Sequence, residues 1–255
     1  MSDGNTILSV AKAMQLLGRL SDAATPQTLK ELSERCGFPK STTFGLLTTM
    51  RDYGVIAQTP DGKYTLGLRL FELGCQVERS WDISSVARPF MELLSQQTGA
   101  TVVLSICESG SVITLDQVQP STNLHIAANT GARLPIYCTS QGKVFLAYRK
   151  ASEAQKLLSR QPLTPYTPHT VTDIPSLMQE LDTCRAQGYA LENGEYKIGL
   201  RSISAPVFTQ SGEADYTVGV IGMFRSVHSD EFAVAIEQVR AAASMISAAL
   251  GYQSK

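Results

Sequence analysis

Residues 28–54 of this 255-residue chain read TLKELSERCGFPKSTTFGLLTTMRDYG. The stretch opens with Thr28 and Glu31 at the spacing of a capping box, in which a hydroxyl and a carboxylate each bond a free backbone amide at a helix start. After the turn at 37–39, a second helix is predicted from about Ser41 to Tyr53. Two helices joined by such a tight turn predict a helix-turn-helix.

Apolar residues at three- and four-residue spacing indicate which side of each helix is buried. An earlier helix is predicted from about Ser9 to Leu20, with Ser9 as its cap. Its expected buried face consists of Val10, Ala13, Met14, Leu17 and Leu20. In the helix after the turn, the expected buried residues are Phe44, Leu47 and Met50.

Two short strand-like runs follow this helix. Residues 55–58 and 63–66 flank Thr59-Pro60-Asp61-Gly62, a sequence that is typical of the turn in a β-hairpin. Three helices and a hairpin together predict a winged helix-turn-helix. The third helix of such a domain can enter the major groove of DNA, because the groove is about as wide as one α-helix.

The candidate DNA contacts lie on the outward side of the third helix, in the hairpin and at the capping box. They are Thr28, Lys40, Ser41, Thr42, Thr43, Gly45, Thr48, Thr49, Arg51 and Lys63. Residues 1–75 carry eight Lys and Arg against seven Asp and Glu, which is a low positive charge for a DNA-binding domain. Docking to another protein therefore stays open as the alternative role of this module.

The rest of the chain has a different pattern of predicted elements, in which strands alternate with longer helices. Residues 68–82 are predicted to form a connecting helix, with a possible break near Trp81 and Asp82. A helix from Ile83 to about Thr98 and strands near 101–107, 111–117 and 122–128 follow. The later elements are helices at 139–148, 174–187 and 230–250, and strands near 202–207 and 217–224. The predicted fold class is α+β, with domain boundaries at 1–67, 68–82 and 83–255.

Composition excludes several classes of protein. The net charge is −1 and the hydrophobic fraction is 43%, which argues against a disordered chain. No run of about 18 uncharged apolar residues occurs, so no membrane span is expected. The N-terminus has no basic and apolar leader pattern, and the five cysteines are scattered. A cytoplasmic protein with reduced thiols is therefore expected.

Enzyme signatures are weak. Ser140 and Lys143 fit the S-x-x-K spacing of serine acyl hydrolases, but the supporting S-D-N and K-T-G elements are missing from the sequence. The chain also has no C-x-x-C, H-x-x-x-H or glycine-rich phosphate loop, so neither a metal nor a cofactor is expected. Acyl hydrolysis stays as a minor alternative to ligand sensing.

Several segments together resemble the IclR family of bacterial transcriptional regulators. In the N-terminal part they are 9–17, 29–32, 37–42, 46–47, 61–67 and 73–74. In the C-terminal part they are 134–135, 139–143, 188–190, Glu195, Gly199, Arg201 and 203–208. The resemblance implies a winged helix joined by a linker helix to a GAF-like α/β effector domain. It also implies a homodimer or homotetramer on a palindromic double-stranded operator, and control of a catabolic operon by a small-molecule effector.

The resemblance also indicates where the effector would bind. The expected contacts are Ser140, Gln141, Glu192, Leu200, Ser202, Gly222 and Phe224. Ser140 and Gln141 suit a carboxylate on physical grounds as well, because a helix N-terminus offers free amides and the positive end of the helix dipole. Lys143 is a candidate counter-ion, although a lysine at such a position is often simply solvated.

Two departures from the family pattern affect these expectations. The family commonly has Arg where this chain has Phe44 or Gly45, so a bidentate guanine contact cannot form there and an altered operator or weaker affinity is expected. Phe224 stands where small polar residues are common, which favours an aromatic or otherwise apolar carboxylate as effector. Ordinary core packing of Phe224 is the alternative interpretation.

Overall fold

The computed structural model describes residues 6–80, 83–120, 129–160 and 162–253. The chain divides into two compact units, Met1–Asp82 and Ile83–Lys255. The predicted helix break at 81–82 and the predicted strand at 122–128 lie outside the described residues.

The N-terminal unit is the winged helix-turn-helix that the sequence predicts. Its elements are α1 (Leu8–Ser21), α2 (Leu29–Cys36), α3 (Lys40–Asp52), β1 (Ile56–Gln58), β2 (Tyr64–Leu66) and α4 (Leu68–Ser80). Strands β1 and β2 pair antiparallel, with Ala57 opposite Thr65. The core of this unit is formed by Leu16, Leu20, Leu32, Leu47, Met50, Ile56 and Tyr64.

The capping box at the start of α2 forms as predicted. Thr28 Oγ1 accepts a hydrogen bond from the backbone N–H of Glu31 at 3.2 Å, and Glu31 Oε2 accepts one from the N–H of Thr28 at 2.7 Å. Gly37 then ends α2 with φ of 67°, a left-handed conformation that glycine adopts without steric cost. These two features set the tight turn that leads into α3.

The predicted buried face of α1 is wrong in part. Val10 and Met14 are exposed, whereas Leu16, which the pattern did not include, is fully buried beside Leu20. The helix begins at Leu8, so Ser9 lies inside it and is not its cap. The reason is a rotation of the helix: the side that contacts α2 and α3 is centred on Leu16 and Leu20.

The predicted buried face of α3 is confirmed at Leu47 and Met50 and wrong at Phe44. Thr43 is fully buried with Leu47 and Met50, while Phe44, expected inside, is 53% exposed. Thr43 Oγ1 donates a hydrogen bond to the carbonyl oxygen of Pro39 at 3.1 Å, so a buried hydroxyl is left satisfied. The expectation that Thr43 faces DNA is therefore wrong.

The described residues of the C-terminal unit form a six-stranded antiparallel sheet flanked by helices. Its elements are α5 (Ile83–Thr98), β3 (Thr101–Glu108), β4 (Ser111–Val118), β5 (Arg133–Pro135), α6 (Ser140–Ala147), α7 (Ala151–Leu158), α8 (Ile174–Gln187), β6 (Ala190–Asn193), β7 (Arg201–Val207), β8 (Tyr216–Gly222) and α9 (Asp230–Ala249). The strand order is β5-β4-β3-β8-β7-β6. The sequence analysis did not identify α7 or the two edge strands β5 and β6, which are too short to show alternation.

One face of the sheet packs against α5 and α9. Its core includes Val102 and Leu104 of β3, Val218 and Val220 of β8, and Phe232 of α9. Helix α9 has the length and hydropathy that could cross a membrane. However, its apolar side contacts β7, β8 and α5, as expected for the core helix of a folded domain.

The other face of the sheet is covered by α6, and every residue of this helix is buried. A Cβ added to Gly142 would overlap the backbone of Ile136, so only glycine lets α6 approach this segment so closely. Thr139 caps the helix, because its Oγ1 accepts a hydrogen bond from the N–H of Gly142 at 3.2 Å. This packing fixes the first turn of α6 inside the domain.

We expect Gly142→Ala to lower the free energy of unfolding by ~1–3 kcal/mol, the usual cost of overpacking a core. Gly18→Ala is the matched control: no atom lies within 4 Å of an added Cβ there, and alanine is preferred over glycine inside a helix by about 0.5–1 kcal/mol. Urea denaturation of the full chain measures both. Equal stability of the two variants would contradict the close approach at Gly142.

Candidate functional site

The outward side of α3 is a candidate DNA-binding surface. Lys40, Ser41, Gly45, Thr49 and Arg51 are exposed as predicted, and Thr42 and Thr48 are half-buried. An added Cβ at Gly45 would meet no atom within 4 Å, so this part of the helix backbone is open. The surface thus offers short polar groups and two cations.

Phe44 belongs to this surface, although the sequence analysis placed it in the core. It lies one turn after Ser41 and one turn before Thr48 on α3, and it is 53% exposed. An apolar side chain in the major groove can contact the methyl group of thymine. The sequence showed that Phe44 stands where the family commonly has arginine, and this difference was the signal for a different base contact.

Three of the predicted DNA contacts already have partners inside the protein. The Thr28 hydroxyl is held by Glu31 in the capping box. Arg51 donates from Nη1 to Gln58 Oε1 at 2.9 Å, which links α3 to the hairpin. Lys63 Nζ lies 2.8 Å from Asp61 Oδ2, and the hydrogen bonds from Lys63 and Thr59 lower the pKa of Asp61 to about 2.

The C-terminal unit contains a cavity of about 250 Å³ between β5, the start of α6 and the turn that joins β6 to β7. Four of the predicted effector contacts line it: Gln141, Glu192, Leu200 and Ser202. The structure adds Thr114, Asn129, Ala132, Arg133, Leu134, Thr139, Tyr196, Lys197 and Ile221. The resemblance also implied that the loop before Leu134, the segment 192–202 and the last strand line the site, and several of these residues lie there. Sequence alone could not single out the individual residues, because only the tertiary fold brings these separate elements together.

Gly222 and Phe224 are not part of this cavity, and the prediction for them is wrong. Phe224 is 4% exposed and packs edge-on against Phe232 of α9, with 5.1 Å between the ring centroids. Its ring also covers Gly222, where an added Cβ would lie 2.7 Å from it. Ile221 of β8 faces the cavity instead, because successive residues of a strand point to opposite faces.

Gln141 brings an unsatisfied donor to the cavity. The side chain is 2% exposed, and its Nε2 has no hydrogen-bond partner among the described residues. Its neighbour Ser140 does not line the cavity, but its Oγ lies 2.9 Å from Ser202 Oγ and 2.8 Å from Ser204 Oγ. A buried amide that lacks a partner costs free energy, and a ligand acceptor would recover it.

Glu192 is a buried carboxylate whose oxygens are already used. Oε1 accepts hydrogen bonds from the backbone N–H groups of Glu195 at 2.6 Å and Tyr196 at 3.1 Å, and Oε2 accepts one from Ser202 Oγ at 3.1 Å. Burial raises the pKa of Glu192 against the lowering effect of these donors. Its carboxylate therefore shapes the turn after β6.

Lys143 is paired inside the protein and is not a free counter-ion. Its Nζ lies 2.6 Å from Glu195 Oε1 and 2.8 Å from Glu180 Oε2, and the side chain is 5% exposed. Burial lowers the pKa of Lys143, but the two carboxylates outweigh this and the net pKa is raised. A protonated, ion-paired lysine cannot serve as a base for Ser140, which argues against the acyl-hydrolase alternative.

Metal chemistry has no support in the described part of the chain. No group of three or more His, Cys, Asp or Glu side chains there could hold a metal ion. The cysteines are free, and burial raises the pKa of Cys138 and of Cys184 to about 12. These two thiols are consequently poor nucleophiles.

Comparison with known proteins supports the assignment of a DNA-binding N-terminal unit and a ligand-binding C-terminal unit. Residues 9–60 match the family model of the IclR helix-turn-helix domain, and residues 75–248 match that of the bacterial transcriptional regulator IclR C-terminal domain. The chain is 33% identical over 247 residues to the HTH-type transcriptional regulator XynR of Escherichia coli (strain K12), covering 96% of this chain and 98% of XynR. XynR is a regulator and not an enzyme, as the sequence analysis expected for this chain.

Solved structures show the same two-domain architecture. The IclR transcriptional regulator of Alicyclobacillus acidocaldarius superposes with a TM-score of 0.83 at 29% identity, over 96% of this chain and all of that one. An IclR homologue from Microbacterium hydrocarbonoxydans in complex with 4-hydroxybenzoate gives 0.82 at 26% identity, over 95% and 99% of the two chains. The chain therefore belongs to the IclR family of transcriptional regulators, which bind DNA and carry a C-terminal ligand-binding domain.

Proposed function

We propose that this regulator binds its operator under the control of an aromatic or otherwise apolar carboxylate, and that it governs a catabolic operon from the cytoplasm. Residues 1–67 form the DNA-binding domain, 68–82 the linker helix and 83–255 the effector domain. The observation that carries the proposal is the unpaired amide of Gln141 in the cavity beside α6.

The cavity suits this class of ligand because its lining has a polar part and an apolar part. Gln141 Nε2 and the positive end of the α6 dipole suit a carboxylate, whereas Leu134, Leu200 and Ile221 offer apolar contact to a ring. These residues, and not Phe224, supply the apolar contact in this proposal. The homologue crystallised with 4-hydroxybenzoate supports the same chemistry in a related protein.

The proposed DNA contacts are Lys40, Ser41, Phe44, Gly45, Thr48, Thr49 and Arg51. Thr42 and Lys63 are proposed to contact the phosphate backbone. Since residues 1–75 carry almost equal numbers of positive and negative side chains, one subunit offers little electrostatic attraction. Tight binding then requires two or more subunits on one palindromic operator.

Apolar residues exposed on the N-terminal unit support such a homodimer, or a homotetramer built from it. Ile7, Leu8, Val10 and Met14 of the first helix region are 67%, 70%, 56% and 62% exposed. Leu68 and Phe71 of α4 are 72% and 69% exposed. Covering these side chains with a second copy would remove apolar surface from water.

The proposed mechanism is a population shift. The effector binds one arrangement of the dimer more tightly than another, and α4 transmits the difference to the spacing of the two α3 helices. A ligand can move this balance only by its differential affinity for the two arrangements.

Replacing Gln141 tests the effector site. We expect Gln141→Leu to weaken 4-hydroxybenzoate binding by about tenfold or more, because a hydrogen bond to a charged group is lost. Gln155→Leu, a change at an exposed position of α7, is the matched control. Isothermal titration of the full chain measures both, and equal affinities would contradict the proposed role of Gln141.

Replacing Phe44 tests the DNA surface. Because phenylalanine contacts the thymine methyl whereas arginine bonds guanine O6 and N7, we expect Phe44→Arg to change the preferred base from thymine to guanine at one position of each half-site. Selection of binding sequences from random duplexes measures the preference. Tyr53→Arg, at a 76% exposed tyrosine that ends α3, controls for the added charge.

The same selection separates the competing functions. If the wild-type chain and Phe44→Arg select the same base sequences, Phe44 does not contact the bases. If the wild-type chain selects no sequence at all, the N-terminal unit docks a protein instead of DNA.

A further inference from the structure

A second, larger cavity lies on the other side of β5. Its volume is about 570 Å³, it is open to solvent on one side, and it is lined by the β3–β4 turn, β5, the end of α7 and residues 162–166. It shares Arg133, Leu134 and Tyr196 with the effector cavity, so these three residues separate the two spaces. Tyr137, Arg160 and Tyr166 line only the second cavity.

The charge of this cavity has one sign. Arg133 and Arg160 line it, and none of its described lining residues is Asp or Glu. Arg133 pairs with Glu108 at 3.0 Å, outside the lining, whereas the Arg160 guanidinium has no side-chain partner in the described part of the chain. Arg160 is exposed at the mouth of the cavity, and its unpaired guanidinium gives that side a positive charge that attracts an anion.

Three tyrosine rings form one wall of the cavity. The Tyr166 and Tyr196 centroids are 5.1 Å apart with an interplanar angle of 67°, and Tyr137 lies 6.4 Å from Tyr166. Tyr137 donates its hydroxyl to the carbonyl oxygen of Thr164 at 2.7 Å. The hydroxyls of Tyr166 and Tyr196 make no hydrogen bond within the described residues, so the wall combines ring faces with two available donors.

The wall is held in place before any ligand arrives. Thr167 Oγ1 donates to the carbonyl oxygen of Gly194 at 2.7 Å, and Thr170 Oγ1 donates to that of Glu195 at 2.6 Å. The N–H of Tyr196 donates to Glu192 Oε1 at 3.1 Å. A preformed site loses less entropy when it binds a ligand.

We propose that this cavity is a second ligand site, which takes a small carboxylate attached to an aromatic ring. The carboxylate pairs with Arg160, whose fork of N–H groups fits two carboxylate oxygens, and the ring packs against Tyr166 and Tyr196. The proposal concerns a site outside the effector cavity, and it stands whether or not Gln141 contacts the effector.

The test is calorimetric titration of the full chain with benzoate, using acetate and inorganic phosphate as competitors. We expect two benzoate sites per wild-type subunit. Arg160→Ala should weaken one of them by roughly tenfold, because a charged hydrogen-bonded pair is lost, and leave the other unchanged. Tyr166→Ala should weaken the same site.

Lys156→Ala is the matched control, since it removes an exposed cation of α7 that does not line the cavity. A single benzoate site in the wild type, or equal titrations for Arg160→Ala and Lys156→Ala, would overturn the proposal. Phosphate or acetate that competes at the Arg160-dependent site as well as benzoate does would overturn the requirement for a ring.

Crystals grown with 4-bromobenzoate locate the sites directly. We expect one bromine peak beside Tyr166 and Arg160, and a clearly weaker peak there in crystals of Arg160→Ala. If Gln141→Leu leaves both sites intact while Arg160→Ala weakens one, the proposed effector contact fails and the second site stands. The reverse pattern retains the effector contact and overturns the second site.

Discussion

The complete burial of helix α6 is the constraint on which the ligand-binding half of the protein depends. A helix enclosed on all sides must satisfy its polar groups with protein partners, since water cannot reach them. Gly142 permits the close approach, and Thr139 caps the first turn. Lys143 is neutralised by Glu195 and Glu180. Gln141 Nε2 is left without a partner among the described residues, and Gln141 is also a residue that lines the cavity.

The ion pair and the cavity are parts of one network. Lys143 holds Glu195, while Glu192 accepts hydrogen bonds from Glu195 and from Ser202, and Ser202 in turn bonds Ser140. Removing one partner of a buried ion pair usually costs about 3–5 kcal/mol, because the other charge stays buried. The network therefore fixes the position of Gln141 through many contacts. One of its members, Lys143, resembled a catalytic lysine only by its spacing from Ser140.

Local signals in the sequence were sufficient for the N-terminal unit and for most helices. The capping box at Thr28 and the glycine at position 37 act over a few residues, so their outcome could be predicted. The inside or outside placement of Thr43 and Phe44 could not, because neighbouring helical positions differ by about 100° and tertiary contacts decide the rotation. The same holds for Phe224, which lies two residues beyond the end of β8, and for Lys143, whose partner Glu195 is 52 residues away.

Ligand-dependent operator binding by the full chain is the decisive measurement for this regulator. The measurement is fluorescence anisotropy of a labelled duplex from the region upstream of its own gene, at low salt, with and without 4-hydroxybenzoate. We expect the chain to bind the duplex and its Kd to change by at least about fivefold when the ligand is present. No binding at low salt, or an unchanged Kd while calorimetry shows the ligand bound, would contradict it.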